Sequence, residues 1–174
     1  MRKQKGHNRP GGAPWLVLVL FVALFLAFGT RLYGRSKGHQ WSKTRPEINL
    51  AHIFEGAINS RGRATGFHAR PGGKDPRYAR LKRIKGRPNR SGVYTAQVAI
   101  YDQQQRRWKN KFSTFFPDSM SRQQVVEAIL HAWKSRTTGK RSKWEGRSGH
   151  GFIIQGYLNR RGNINTAYPL YLTR

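Results

Sequence analysis

Apolar and polar positions predict a short helix at the start of the folded part of the chain. The helical spacing is set by Ile48, Leu50, Ile53 and Phe54. This helix should end near Gly56, which places His52 at or just before its last turn. Residues 57–91 are dense in glycine, proline, arginine and lysine, and this composition predicts loops.

Two later segments alternate as the strands of a hairpin. In "SGVYTAQVAIYD" one face carries Tyr94, Ala96, Val98 and Ile100, which predicts a half-buried strand. In "RRWKNKFSTFFPD" one face carries Trp108, Phe112 and Phe116, and the other carries Lys109, Lys111 and Ser113. The segment "DQQQ" should connect the two strands.

The clearest helix lies near residues 121–135, where Ser121 and Gln124 form a capping box. After it, "GHGFIIQGYLNRRGNINTAYPLYL" predicts two strands joined by a turn at 159–163. Thr166 and Tyr168 are two residues apart on the last strand and therefore face the same way. Strands grouped around few helices, without βαβ alternation, predict an α+β fold with antiparallel sheets.

The charge of the chain points to a polyanionic partner. Lysine and arginine number 34 against 7 acidic residues in 174, a formal net charge of +27. Such a charge favours nucleic acid first and an anionic membrane second. An aromatic content of 12% argues against a disordered basic tail. The absence of cysteine excludes disulfides, a thiol nucleophile and a cysteine-based zinc site.

The N-terminus has the pattern of an export signal. A basic start precedes fourteen apolar residues at 15–28, so residues 1–29 are predicted as a signal peptide or a signal anchor. Residues 30–45 form a basic linker, and 46–174 form the main domain. Both a cleaved and a retained leader fit the sequence. The domain is therefore expected outside the cytoplasm, either secreted or periplasmic, or anchored to the inner membrane.

Two histidines are the candidate chemistry. His52 and His68 are sixteen residues apart and flanked by ordered sequence, whereas the other histidines fall in the leader, the linker, a polar helix face or a basic loop. An imidazole with a pKa of about 6.5 suits a general base or acid acting on a phosphodiester. Two unrelated polar histidines, or a two-histidine metal site in a region poor in carboxylates, are the alternatives.

Four separated motifs occur in the order typical of one family. The segments "HIFEG…GRATGFH", "KFSTFFPD", "SRQQVVEAI" and "GNINTAYPLY" resemble the bacterial EndoU nucleases, which occur as toxin domains of contact-dependent inhibition proteins. The resemblance covers about residues 46–174. One departure is the approach "ATGFH" to the second histidine, where many bacterial members have a "GGH"-type sequence.

The resemblance implies an endoribonuclease that cleaves single-stranded or loop RNA, often at uridine, and leaves a 2′,3′-cyclic phosphate. His68 matches the general base, His52 the general acid and Lys111 the lysine of the family triad, with Lys109 as the runner-up. Thr166 and Tyr168 match positions that contact uracil, and Ser113 and Lys109 are further candidate substrate contacts.

The same resemblance bears on cofactors and partners. It implies no required metal or other cofactor and leaves stimulation by manganese open. The expected partners are an RNA substrate, with tRNA as one candidate, an acidic immunity protein, and the inner membrane if the leader is uncleaved. A catalytically inactive, membrane-tethered nucleic-acid-binding protein is the alternative function.

Overall fold

The computed structural model describes residues 40–139 and 142–173. This part has two α-helices, one short 3-10 helix at Pro71–Gly73 and nine strands. Helix α1 spans Leu50–Phe54 and helix α2 spans Arg122–Lys134. The strands are β1 (Ala57–Ile58), β2 (Ala64–Thr65), β3 (Ala79–Gly86), β4 (Tyr94–Asp102), β5 (Arg107–Phe115), β6 (Thr137–Thr138), β7 (Lys143–Arg147), β8 (Ile153–Leu158) and β9 (Ile164–Pro169).

The strands form three antiparallel sheets, in the orders β1-β2, β3-β4-β5 and β6-β7-β8-β9. Two hydrophobic cores support them. One lies under the three-stranded sheet and includes Phe67, Val98 and Phe115. The other joins α2 to the four-stranded sheet, with Ile129 and Ile154 among its buried members. Helix α1 belongs to this second core, so the two cores meet where α1 and residue 67 lie close together.

Three hairpins close with the same five-residue turn. In the turns that begin at Asn59, Asn89 and Asn159, the asparagine side chain accepts hydrogen bonds from the backbone N–H groups two and four residues later. In each turn the fourth residue is a glycine with positive φ, which other residues adopt only at a cost. These turns join β1 to β2, β3 to β4 and β8 to β9.

The predicted α+β class is confirmed, and so are the short helix, the β4–β5 hairpin and the turn at 159–163. The capping box is also present, because the Ser121 hydroxyl accepts from the Gln124 N–H and the Gln124 side chain accepts from the Ser121 N–H. The prediction of loops throughout 57–91 is wrong, since β1, β2 and β3 lie there. Strand β3 is an edge strand with mostly exposed basic side chains, so it shows no alternation of apolar residues.

The two faces of the hairpin also differ from their prediction. Strand β4 is buried on both faces rather than on one. On β5 the lysines point into the fold, whereas Trp108 and Phe112 are exposed. Phe116 lies beyond the end of the strand and is buried in the other core. The sheet therefore presents its polar positions to the interior at β5, and the functional site is built there.

The predicted leader at 1–29 and most of the linker lie outside the described residues. Within residues 40–139 and 142–173, no helix has the length and apolarity needed to cross a bilayer.

Candidate active site

Helix α1 and the segment 66–69 bring the two histidines together. The Asn49 side chain caps α1 by accepting from the His52 N–H at 3.1 Å. The His52 carbonyl then accepts from the Phe67 N–H at 2.8 Å, and the Ile53 carbonyl accepts from the His68 N–H at 2.7 Å. As a result the two imidazole centroids are 6.2 Å apart, so both rings can reach one bound phosphodiester.

Gly66 makes this approach possible. A Cβ at this position would lie 2.3 Å from the His52 carbonyl oxygen and 3.0 Å from the His52 ring. The residue also has a φ of +73°, which favours glycine. The glycine of "TGFH" is therefore required by the distance between the two histidine segments.

The hydrogen bonds of His68 fix its tautomer. Its Nδ1 lies 3.0 Å from the Thr114 carbonyl oxygen. A carbonyl can only accept, so Nδ1 carries the proton and Nε2 has a free lone pair. Nε2 is the ring nitrogen that can take a proton from a substrate.

Lys111, on strand β5, contacts the segment that carries His68. Its ammonium donates to the Gly66 carbonyl at 2.7 Å and to the Ser113 hydroxyl at 3.0 Å. The other predicted lysine, Lys109, forms an ion pair with Asp102 at 2.9 Å and donates to the Gly62 carbonyl. Of the two lysines, Lys111 therefore contacts the segment that carries His68, whereas Lys109 is neutralised by a carboxylate.

Ser113 is buried in the free protein. It is 2% exposed, and its hydroxyl donates to the Phe67 carbonyl at 2.7 Å. Its oxygen is left to accept from Lys111 and lies 3.1 Å from His68 Nδ1. In the free protein Ser113, predicted as a substrate contact, lies in the interior between the Lys111 ammonium and His68 Nδ1.

Thr166 and Tyr168 lie on β9 at the same site. The Tyr168 ring stacks on the His68 ring with centroids 5.1 Å apart and an interplanar angle of 28°. The Gln155 amide donates to the Tyr168 hydroxyl. The Thr166 hydroxyl is buried and makes no hydrogen bond with any of the residues that the structure describes. A ligand with a polar edge could supply the missing hydrogen bond.

Burial and the lysine charge lower the pKa of both histidines. The pKa of His52 falls from 6.5 to about 4, mainly by burial and further by the positive charge of Lys111. The same causes hold the pKa of His68 well below its usual value, against the hydrogen bond to Thr114. Burial lowers the pKa of Lys111 to about 8. At neutral pH the free site therefore holds two neutral imidazoles and a largely charged ammonium.

These shifts predict a loss of stability in acid. Between pH 6.5 and about 4 the unfolded chain binds more protons than the folded protein, so the free energy of unfolding falls as the pH falls. His52 alone accounts for about 3 kcal/mol over that range. A His52→Gln variant lacks this contribution. Its urea midpoint should therefore fall less than that of the unchanged protein between about pH 7 and 4.5, and equal losses would contradict the lowered pKa of His52.

Sequence reasoning did not find the parts of the site that are backbone atoms or that lie on distant elements. The Thr114, Phe67 and Gly66 carbonyls are backbone atoms, which no residue type reveals. Asn49 could have been found as a helix cap three residues before His52. No sequence pattern indicated Gln155, because only the register of β8 with β9 places it opposite Tyr168.

Possible metal ligands are sparse near this site. In residues 40–139 and 142–173 no three histidine, aspartate or glutamate side chains converge as a metal site requires.

Comparisons with known proteins find a family model and a relative that match this chain. A family model described as bacterial EndoU nuclease matches residues 46–171, which contain every residue of the site. A protein of Bacillus cereus named "Toxin" is 35% identical over 130 residues, which are 73% of this chain and 23% of that protein. The chain thus spans about a quarter of the length of this relative. No solved structure matches the chain significantly.

Proposed function

This chain belongs to the bacterial EndoU nuclease family, and from that premise we propose that it is an endoribonuclease in which the ribose 2′-hydroxyl attacks the neighbouring phosphate. The products are a 2′,3′-cyclic phosphate and a free 5′-hydroxyl. The observation that carries the proposal is the fixed tautomer of His68, whose free Nε2 lies in one cluster with His52 and Lys111.

His68 acts as the general base. Its Nε2 takes the proton of the 2′-hydroxyl, and the oxygen attacks phosphorus. The positive charge that then forms on the ring is stabilised by the Thr114 carbonyl, which holds Nδ1–H. The lowered pKa of His68 keeps Nε2 unprotonated at neutral pH.

Lys111 and His52 complete the transfer. The Lys111 ammonium stabilises the negative charge that builds on the phosphorane oxygens. His52 donates a proton to the leaving 5′-oxygen. The free protein holds His52 neutral, but a phosphodiester anion beside the ring favours the charged form and raises its pKa. Substrate binding thus supplies the protonated state that the acid needs.

A uridine preference fits the polar edge of the site. The Thr166 hydroxyl is buried and has no hydrogen-bond partner within the described residues, so a base edge that displaces its cover would satisfy it. The ring of Tyr168 offers a surface for stacking. Reading a base edge requires that the base be unpaired, so the substrate is single-stranded or loop RNA.

We also propose that the nuclease is an exported bacterial toxin. The support is the relative named "Toxin", together with the basic and apolar pattern of residues 1–29. A cell that makes such an enzyme needs protection, and an acidic immunity protein would complement a net charge of +27.

One matched pair of substrates tests the reaction. The full chain should cleave a uridine-containing RNA oligonucleotide in EDTA and should leave the same oligonucleotide intact when a single 2′-deoxyuridine replaces the target uridine. The reason is that the nucleophile is the 2′-oxygen itself. Product ends are identified by mass, because a cyclic phosphate is lighter than a linear one by one water.

Two outcomes would contradict parts of this proposal. Cleavage of the 2′-deoxy substrate at the same site would exclude attack by the 2′-hydroxyl. Cleavage with added manganese but none in EDTA would show that the site requires a metal.

A further inference from the structure

The face of the three-stranded sheet that points away from its core, called here the outer face, carries an unusual set of exposed side chains. The register places Tyr78, Tyr101 and Trp108 in one row across β3, β4 and β5, and Arg83, Gln97 and Phe112 in a second row. Trp108 is 36% exposed and Phe112 is 57% exposed. Phe112 therefore contributes little to the packing of the fold.

The aromatic groups of the first row are ordered against each other. The rings of Tyr78 and Tyr101 stack at 6.1 Å, and those of Tyr101 and Trp108 lie 5.2 Å apart. The Arg80 guanidinium lies over the Trp108 ring at 3.9 Å. This arginine–aromatic surface is therefore preorganised in the free protein.

The charge of the outer face has one sign. Exposed basic residues reach it from β3 at Arg80 and Arg83, and Arg77 lies over Tyr78 at its border. The only acidic residue in β3, β4 and β5 is Asp102, which is buried and paired with Lys109. A polyanion with flat apolar groups is the ligand that this surface complements, and single-stranded nucleic acid has both properties.

The outer face adjoins the candidate active site. Phe112 lies between Lys111 and Ser113 on β5, and strand alternation directs their side chains to opposite sides of the sheet. Strand β5 is also an edge strand of its sheet. A strand of RNA that leaves the site over this edge comes directly onto Phe112.

We propose that the outer face is a second RNA-binding surface, which holds the single-stranded segment flanking the cleaved nucleotide. Bases stack on Phe112 and Trp108, and Arg80 and Arg83 contact phosphates. The inference rests on the proposed function, because it takes RNA as the substrate. It adds that affinity for a long substrate is set partly outside the catalytic cluster.

The test compares a long substrate with a short one. In the full chain, Phe112→Ala should weaken binding of a twelve-nucleotide single-stranded RNA about fivefold to a hundredfold, measured by fluorescence anisotropy in a His68→Ala background. Cleavage of a uridine-containing dinucleotide by the otherwise unchanged protein should stay the same, because the dinucleotide does not reach the outer face. Phe112→Tyr should keep the affinity.

Ile84→Ala provides the matched control. Ile84 is 48% exposed on the same sheet but pairs with Ala96, which belongs to the core side, so the variant should bind the long RNA like the parent protein. An unchanged affinity in Phe112→Ala would overturn the proposal and leave this face to a protein partner. An equal loss in Ile84→Ala would also overturn it. If the unchanged protein cleaves neither substrate but Phe112→Ala still weakens binding, the proposed nuclease function is contradicted and the proposal of an RNA-binding outer face is supported.

Discussion

Replacing His68 by alanine should lower the rate of RNA cleavage by about 10²- to 10⁴-fold while leaving RNA binding nearly intact. The rate falls because His68 Nε2 is the ring nitrogen with a free lone pair, its Nδ1–H being held by the Thr114 carbonyl. Binding persists because affinity for a polyanion comes mainly from the 34 lysine and arginine residues, which are unchanged. Single-turnover cleavage and anisotropy on the same oligonucleotide measure the two effects.

The control for this variant is His150→Ala. His150 is exposed, and its ring stacks on Phe152. It belongs to none of the contacts described for His52, His68 and Lys111, so this variant should keep its activity. A parallel loss of cleavage and binding in His68→Ala would mean that the residue supports the fold rather than the reaction. Full cleavage by His68→Ala would exclude it as the base.

Replacing Lys111 by alanine should lower cleavage by about 10²- to 10³-fold. The positive charge of Lys111 acts on both histidines, and the pKa of about 8 keeps Lys111 largely protonated at neutral pH. Lys111→Arg should retain more activity than Lys111→Ala, because a cation remains, although the larger guanidinium does not fit the bonds to the Gly66 carbonyl and Ser113 in the same way. The measurement is the cleavage rate of each variant at saturating RNA, which separates the chemical step from binding.

Lys109→Ala is the comparison, since both lysines lie on the same face of β5. Lys109 pairs with Asp102, so its loss should lower the rate less than tenfold. Similar losses in the two alanine variants would show that general positive charge, rather than the position of Lys111, is what the reaction uses. Equal activity of Lys111→Ala, Lys111→Arg and the unchanged protein would remove Lys111 from the site.

Local patterns in the sequence predicted much of this fold. The capping box at Ser121, the existence of strand β4 and the turn at 159–163 are each specified within a few residues. The same turn occurs at 59–63 and 89–93, where an asparagine and a glycine three residues later stand between two strands. Comparing these three segments would have predicted the β1–β2 and β3–β4 hairpins within a stretch that composition indicated to be loops.

Long-range contacts decided what the sequence left open. Nothing in the spacing of Lys109 and Lys111 says which lysine meets a carboxylate. Asp102 comes within reach of Lys109 only through the β4–β5 register, in which the two residues are diagonal neighbours. The outward position of Phe112 was equally hidden, because alternation shows two faces without showing which one covers a core. The roles of His52 and His68 in the reaction remain predictions, and the His68→Ala variant tests the second of them.

The three asparagine turns have a consequence for folding. Each closes a hairpin through hydrogen bonds that span only five residues, so the register of three strand pairs is set by short loops that form in microseconds. The chain has no cysteine, and its folding therefore needs no oxidation step. These three hairpins can therefore form again quickly from an extended chain, as the proposed export of the protein would require.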